Sequence, residues 1–394
     1  MEPASRSLRK SAAPKMESRA LAVARKILSQ PTATFLEHWP AAAIRELVRE
    51  SAGLQLREDA AGNLLVIVGD PGAKTPLVLM AHLDHPGFVV DRVEGDMAHL
   101  TFRGGVRLAH ARARTPLAFF HPGSSQRIGR GVLVKAEGGE GDRSTMLAGG
   151  RAWITRGRAR AGGFTMWDFP GWSLREGRFV SRCLDDLLGA AAAFATLQEI
   201  HLRKLSGVQV WALFTRAEEV GFFGAFEAIR LRTVPKGARV LSLETSRALP
   251  HAPQGGGVIV RVGDARSLFD PCVSAVLHDV AKELAQKDSS FRFQRRLMDG
   301  GSCEATPFCA AGYHAGGVAL PLGNYHNMSG LDGGKKGIGP EHVMRSDYLS
   351  MVKLLVRMGE LSSDLPAREK ATRGSLAHLA AEAKSAMRRA PRLA

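Results

Sequence analysis

Apolar residues along the chain follow two patterns, one typical of buried strands and one typical of helices. Nearly continuous apolar runs such as "NLLVIVGD", "TPLVLMAH" and "GVQVWALFT" predict strands that are buried on both faces of a sheet. Runs with helical spacing, such as residues 17–30 and 41–50, lie between or beside them. Strands that alternate with helices predict an α/β fold in which helices cover both faces of a largely parallel or mixed central sheet.

The pattern changes between about Phe88 and Arg175. Short alternating runs such as "HLTFRG", "RGVLVKA" and "RAWITRG" are broken there by Gly, Pro and Ser, which predicts a small β-rich domain inserted into the α/β domain. A short basic helix is a candidate near the C-terminus. The expected organisation is a basic N-terminal extension (1–16), a catalytic domain in two pieces (17–87 and 176–362), the insert (88–175) and a basic tail (363–394).

Length and composition fit a globular protein. A chain of 394 residues suggests two domains or three, and none of its stretches holds eighteen unbroken apolar residues. The basic N-terminus has no apolar segment of the kind that a secretory signal needs. The four cysteines have no C-x-x-C spacing, which favours a reducing compartment and, by default, the cytoplasm. We therefore expect no membrane partner.

The net charge of +16 raises the question of nucleic-acid binding. Arginine is spread along the chain, and its densest runs lie at the two ends. We find no RNP-type aromatic motif, paired C-x-x-C finger or phosphate-binding loop. General basicity gives weak, salt-sensitive binding to polyanions at most, so no specific nucleic-acid partner is expected.

Acidic and imidazole side chains follow several of the predicted strands. In open α/β sheets, chemistry gathers at the carboxyl ends of the strands. The residues placed there, or at the mouth of the long Ala-rich helix, are His82, Asp84, Asp185, Asp186, Glu218, Glu219, Glu244 and His326.

Each of these residues also has a structural interpretation. A histidine at a strand end is often simply hydrogen-bonded, and Asp185 is a candidate helix N-cap. Together, however, two imidazoles and several carboxylates form a ligand set for Zn²⁺, Co²⁺ or Mn²⁺. Two such ions need a bridging carboxylate, for which Asp185 is a candidate, and a further carboxylate must accept a proton from water. That division of roles explains why Glu218 and Glu219 stand side by side.

The ordered set of motifs resembles the M42 aminopeptidases, within the wider M20/M28 clan, over about residues 20–360. "AHLDHPGFVV" is similar to the family's A-H-x-D-E-x-G-F-x-V, "CLDDLLG" to L-D-D-R-x-G and "EEVGFFGA" to E-E-V-G-x-x-G-A. "GGSCEA" is similar to G-G-T-D-A, and "LPLGNYHN" stands where the family has the strand leading to its last histidine. The resemblance implies a zinc-peptidase-like fold with a barrel-like insert that serves oligomerisation.

The resemblance also implies roles for seven residues. His82, Asp185 and Glu244 would bind one divalent ion, and Asp185 would bridge to a second ion held with Glu219 and His326. Which ion takes Glu244 and which takes Glu219 follows from the family alone. Glu218 would be the general base, and Asp84 would orient His82.

Four positions depart from the family pattern. His85 stands where the family usually has Glu, Leu187 replaces Arg, and Glu304 replaces Asp. Glu244 replaces the metal-ligand Asp, a substitution that the wider clan tolerates. None of them removes an expected ligand, but the first two affect expectations about assembly and substrate. His85 is either an additional proton donor near the site or a structural histidine in a His-Pro turn.

The resulting hypothesis is a dinuclear metallo-aminopeptidase that uses a metal-bridged water, contains two Zn²⁺ or Co²⁺ ions with Mn²⁺ as a further candidate, and forms a homo-oligomer. An N-acyl amino acid deacylase or dipeptidase with the same metal site is the alternative. A non-catalytic binding protein with a relict site is a third possibility, which metal analysis distinguishes from an enzyme.

Overall fold

The computed structural model describes residues 15–374 and 377–390. The expected N-terminal extension therefore lies almost wholly outside the described residues, as does the end of the basic tail. Among the described helices, none is both long and apolar enough to cross a lipid bilayer.

The helices and strands follow the order that the apolar pattern predicts. The helices are α1 (Met16–Leu28), α2 (His38–Glu50), α3 (Leu187–Arg203), α4 (Phe223–Arg230), α5 (Pro271–Lys287), α6 (Ala305–Ala310), α7 (Arg345–Glu360), α8 (Leu365–Gly374) and α9 (Ala377–Arg389). The first strands are β1 (Gln55–Glu58), β2 (Leu64–Val68), β3 (Leu77–His82), β4 (Gly87–Glu94), β5 (Met97–Arg103), β6 (Pro116–Phe120), β7 (Arg127–Gly138), β8 (Leu147–Gly157), β9 (Phe164–Trp167) and β10 (Leu174–Arg175). The later strands are β11 (Arg178–Ser181), β12 (Val210–Thr215), β13 (Arg239–Arg247), β14 (Val258–Asp264), β15 (Phe293–Met298), β16 (His314–Leu322), β17 (Met328–Ser329), β18 (Gly337–Ile338) and β19 (Glu341–Met344).

In the part of the chain that the structure describes, eight strands form the central sheet in the order β1-β2-β12-β3-β13-β16-β14-β15. Strands β12, β3, β13 and β16 run parallel to one another, whereas β2 is antiparallel to β12 and β14 is antiparallel to β16. The predicted mixed sheet is confirmed. Its four parallel strands all end at the same edge, and this edge carries the candidate site.

Side chains of the central strands point alternately into two separate cores. On β12, Val210, Ala212 and Phe214 belong to the core that contains α1, α3 and α7, while Trp211 and Leu213 belong to the core under α4 and α6. This alternation follows from the two-residue period of a strand. Both faces of the sheet are therefore covered, as the continuous apolar runs predict.

The insert contains a closed barrel. Among the described residues, six strands form it in the order β4-β5-β8-β7-β6-β9, and β9 pairs with β4 to close the ring. Its interior is filled by large apolar side chains, including Phe88, Phe119 and Trp167. The β-rich texture of this part of the sequence is thus a barrel with its own core.

The segment beyond Asp364, predicted as a basic tail, begins with a helix that belongs to the folded domain. Helix α8 packs against α5, and Leu365 and Glu369 are buried. Glu369 accepts two hydrogen bonds from Arg239, at 2.9 Å from Nε and 2.7 Å from Nη2. The described side chains of α9, by contrast, are exposed.

We expect Glu369→Ala to destabilise the protein by roughly 3 kcal/mol, because it leaves the Arg239 guanidinium buried without its partner. Denaturant unfolding measures the change in the free energy of unfolding. Glu227→Ala is the matched control, since it removes the exposed Glu227–Arg230 pair and should leave stability unchanged. Equal stability of the wild type and the Glu369 variant would show that α8 is not anchored by this pair.

Candidate metal centre

The parallel strands bring the candidate residues to one edge of the sheet. His82 is the last residue of β3 and pairs with Thr215, the last residue of β12. Glu218 and Glu219 follow β12, and Glu244 lies within β13, which continues to Arg247 rather than ending at the glutamate. His326 follows β16, and Asp185 precedes α3.

Among the described residues, three groups of side chains have potential ligand atoms within 4.8 Å of one another. The groups are His82–Asp185–Glu244, Asp185–Glu219–His326 and His82–Glu218–Glu219. Asp185 belongs to the first two groups, with Oδ1 at 3.6 Å from His82 Nε2 and Oδ2 at 3.5 Å from His326 Nε2. The five side chains expected to bind metal therefore converge on a single place, with Asp185 in the middle.

The hydrogen bonds of the two imidazoles suit cation binding. His326 Nδ1 lies 2.7 Å from the carbonyl oxygen of Gly105, and His82 Nδ1 lies 3.2 Å from that of Asp84. A carbonyl accepts only, so each Nδ1 carries a proton and each Nε2 is the nitrogen that faces the carboxylates. Glu219 Oε1 lies 3.2 Å from His326 Nε2 and Asp185 Oδ1 lies 3.6 Å from His82 Nε2, and neither oxygen has another donor among the described residues. Buried imidazole nitrogens and carboxylate oxygens grouped in this way fit divalent cations between them.

Asp84 is buried beside this group and makes contacts in three directions. Its carboxylate accepts hydrogen bonds from the backbone N–H groups of Glu218, at 2.9 Å, and Glu219, at 3.2 Å. Thr34 Oγ1 donates a third, at 2.9 Å, and His82 Nδ1 lies 3.5 Å from Oδ1. Asp84 is thus placed to hold both an imidazole and the turn that carries the two glutamates.

The backbone after β12 explains how adjacent glutamates reach the same crevice. The strand ends at Thr215, Ala217 takes a left-handed conformation with φ of 52°, and a 3₁₀ turn spans Glu218–Val220. Gly221, at φ of 122°, closes the turn in a region that favours glycine. Since the chain is no longer extended at the glutamates, their side chains are not forced to opposite faces of the sheet.

Burial dominates the electrostatics of the carboxylates. Burial, opposed in part by His82, raises the pKa of Glu218 well above its ordinary value. Burial also raises the pKa of Glu244 to about 7. The same burial acts on Asp185, but the contacts with His326 and His82 outweigh it and hold the pKa of Asp185 below its ordinary range. A group of carboxylates packed this closely favours positive charge between them.

Asp185 is not the N-cap of α3. Asp186 occupies that position, but its side chain caps no backbone N–H of the helix, which begins at Leu187.

Two of the residues that depart from the family motif are buried near the site. His85 is fully buried and belongs to none of the three ligand groups. Its Nδ1 contacts the backbone carbonyl oxygen of Asp185. Glu304 is fully buried, neither of its oxygens has a donor, and burial raises its pKa to about 8.

Two buried residues near the site were not anticipated. Arg261 lies on β14 within the apolar run "VIVRVG", where a charged residue is itself a signal. Glu341, at the start of β19, accepts hydrogen bonds from the backbone of Leu184 and Asp185. Its surroundings in the sequence, "GPEHV", give no such signal.

A cavity of about 250 Å³ opens beside the candidate ligands. His82, Asp185, Glu218 and Glu244 line one side of it. The other lining residues include Arg247, Leu249, Arg261, Met298, Gly300, Gly301 and Ser302 from the α/β domain and Arg107 and Met146 from the insert. Both the α/β domain and the insert therefore line the cavity.

A comparison with known protein families identifies a related family. Residues 158–332 match the sequence model of the family described as M42 glutamyl aminopeptidase. The resemblance to M42 is confirmed. The match supports a hydrolase of the aminopeptidase type, and the metal dependence of that family agrees with the His and carboxylate groups found here. No curated protein matches the sequence significantly.

Solved structures of M42-type enzymes share the fold. An aminopeptidase of the archaeon Desulfurococcus kamchatkensis aligns with a TM-score of 0.70 at 18% identity, covering 88% of this chain and 96% of that one. A TET aminopeptidase of a marine sediment thaumarchaeon gives 0.71 at 16% identity, over 90% and 100%. The TET1 peptidase of Pyrococcus horikoshii, which assembles into a tetrahedron or an octahedral shell, gives 0.67 at 19% identity, over 86% and 99%. These likenesses establish the mixed α/β fold.

The first test of the site is metal stoichiometry. We expect the chelator-treated protein to bind two Co²⁺ or Zn²⁺ ions per chain in calorimetric titration. Asp185→Ala should abolish both binding steps, because Asp185 belongs to both ligand groups, whereas Glu244→Ala should remove one. Glu140→Ala, which changes an exposed carboxylate, is the control. Two unaltered steps in the Asp185 variant would contradict the shared position of this residue.

Proposed function

We propose that the chain is a dinuclear metal-dependent aminopeptidase that removes N-terminal residues from peptides. The observation that carries this proposal is the pair of ligand groups joined by Asp185. The M42 match over residues 158–332, which contains Asp185, both glutamates of the turn, Glu244 and His326, supports it.

The ligand assignment follows the groups. His82, Asp185 and Glu244 would hold one divalent cation, and Asp185, Glu219 and His326 the other, with Zn²⁺ or Co²⁺ as the favoured ions and Mn²⁺ as a further candidate. When bound, the cations would acidify a water molecule and polarise the scissile carbonyl. Nitrogen and oxygen donors without a thiolate suit such a hydrolytic site.

Glu218 would be the general base. It stands next to Glu219, yet it is absent from both groups that share Asp185, so its carboxylate is free to take a proton. It would accept a proton from the water that attacks the carbonyl carbon and deliver it to the amine as the C–N bond breaks. Burial and the raised pKa suit a group that must hold this proton between the two steps.

The cavity favours a substrate that carries a carboxylate. Arg261 is 3% exposed, and no carboxylate of the described residues forms a salt bridge with it. Its Nε has no acceptor, its Nη1 donates to Ser246 Oγ at 3.4 Å, and its Cζ lies 5.7 Å from the centre of the Phe269 ring. A buried guanidinium that is not paired with a carboxylate favours an anionic group of the substrate. The substrate would supply it through an acidic N-terminal side chain, in agreement with the description of the matching family.

The same arginine favours a second candidate function. An N-acyl amino acid or a dipeptide carries a free α-carboxylate, which Arg261 would bind equally well. A deacylase or dipeptidase with the same metal ligands is therefore the alternative, and the position of the carboxylate in the preferred substrate distinguishes it from an aminopeptidase.

We also propose that the protein is a homo-oligomer assembled through the barrel. The barrel exposes Val134 and Trp153, at 44% and 47% of their surfaces, on its outer wall. Assembly of the Pyrococcus horikoshii TET1 peptidase supports the proposal. The four cysteines are unpaired, which supports a reducing compartment such as the cytoplasm.

Glu218→Gln should reduce kcat by about 10²–10⁴-fold and leave the fold and both metal-binding steps intact, because the amide cannot take a proton. Steady-state kinetics with an aminoacyl anilide, together with metal titration, check both parts. Near-wild-type turnover would rule out the role of base. Loss of a metal-binding step would instead make Glu218 a ligand, as in the group with His82 and Glu219.

Arg261→Met should lower kcat/KM by about 10–100-fold for the substrate that carries a carboxylate, because the lost contact is a charged hydrogen bond. The kcat/KM for a leucyl anilide, which has no such carboxylate, should not change. The panel contains glutamyl and leucyl anilides, N-acetyl amino acids and dipeptides. Arg247→Met is the matched control, because Arg247 lines the same cavity but already pairs with Asp332. An equal loss on every substrate would contradict a role in selectivity.

A further inference from the structure

His85 is buried against the backbone of Asp185. Its Nδ1 lies 2.6 Å from the carbonyl oxygen of Asp185, to which it donates. Its Nε2 lies 3.1 Å from Oδ1 of Asn327, the residue that follows His326. The ring therefore links the chain segments of two candidate ligands that are far apart in sequence, without itself belonging to a ligand group.

Glu341 acts on the other side of the same segment. Its Oε2 accepts hydrogen bonds from the backbone N–H groups of Leu184, at 2.6 Å, and Asp185, at 3.1 Å. Its Oε1 lies 4.0 Å from His85 Nε2 and has no donor of its own. The N–H and C=O of Asp185 are thus each held by a buried side chain from a different element.

The segment of His326 needs similar support. His326 and Asn327 both have left-handed backbone, with φ of 52° and 61°. This conformation is unfavourable for most residues other than glycine, although asparagine tolerates it better than most. Asn327 Nδ2 donates to Gly339 O at 3.3 Å, and Gly339 N donates to Asn327 O at 2.9 Å. His85 joins this segment to the backbone of Asp185.

We propose that His85 and Glu341 are positioning residues that fix the Asp185 backbone, so that its carboxylate faces both ligand groups at once. This inference rests on the proposed function, because it takes Asp185 as the shared ligand. Removing either residue frees the segment that aims the carboxylate, and the effect reaches both cations. Partners of this kind typically contribute 10–100-fold to metal affinity.

The test measures both binding constants of the chelator-treated protein for Co²⁺ by calorimetry. His85→Leu and Glu341→Leu should each weaken both steps by about 10–100-fold. His85→Gln, which can still donate to a carbonyl, and Glu341→Gln, which can still accept from the backbone, should recover part of the loss.

Two control variants separate positioning from general damage. Ser242→Ala removes a buried hydrogen bond of 3.0 Å to Glu244, which belongs to only one of the two groups that share Asp185, and should weaken one step only. Tyr348→Phe removes a buried hydrogen bond of 3.0 Å to Ala20 O, away from the ligand groups, and should lower stability without changing either step.

Each outcome decides the proposal. Loss at both steps with recovery in the glutamine variants supports it, whereas wild-type steps in the leucine variants, or loss at one step only, overturn it. If the leucine variants do not fold, Asn327→Gly removes the acceptor of His85 at a backbone position that glycine tolerates, and unchanged affinity there overturns the proposal. Absence of metal binding by the wild type would instead refute the proposed function.

Discussion

The carboxylate of Asp84 is the contact on which the arrangement of the site depends. It binds the backbone N–H groups of Glu218 and Glu219 and lies beside Nδ1 of His82. The parallel register, with His82 opposite Thr215, brings the ends of β3 and β12 level, so that Asp84 meets the turn after β12. Hydrogen bonds to an ionised acceptor are stronger than neutral ones. A single buried carboxylate therefore positions an imidazole and a pair of glutamates together.

Such a site is costly to bury. Desolvation disfavours the charged form of every carboxylate here, and it raises the pKa of Glu218, Glu244 and Glu304. Hydrogen bonds from the protein do not offset this fully, because Asp185 Oδ1 and Glu219 Oε1 have no donor among the described residues other than the imidazoles of His82 and His326. A structural network would pair these atoms, as the buried Arg239–Glu369 pair does beneath α8. The unmet acceptors are concentrated where the two ligand groups meet, which agrees with bound cations as the missing partners.

The sequence predicts the mixed α/β fold well because the fold depends on local signals, whereas the ligand assignment comes from the resemblance to M42 and stays a prediction. Continuous apolar runs identify the buried strands, and polar residues at the strand ends mark the edge where His82, Asp185 and Glu219 meet. What the sequence does not predict depends on contacts between distant segments. The closure of the barrel arises from the pairing of β9 with β4. The residues around Glu341 in the sequence do not indicate its role, because its hydrogen-bond partners are backbone groups more than 150 positions away. The packing of α8 likewise depends on Arg239, outside the basic segment.

The insert is part of the site rather than an addition to its surface. Along the chain it leaves the α/β domain just after His82 and Asp84 and returns shortly before Asp185. Gly105, in the loop after β5, supplies the carbonyl that accepts a hydrogen bond from Nδ1 of His326. A Cβ at Gly105 would lie 3.3 Å from His326 Nδ1, so the loop approaches the imidazole as closely as side-chain size allows. Arg107 and Met146 then complete the wall of the cavity. Movement of the barrel relative to the sheet would therefore alter the orientation of a candidate ligand and the shape of the substrate cavity at the same time.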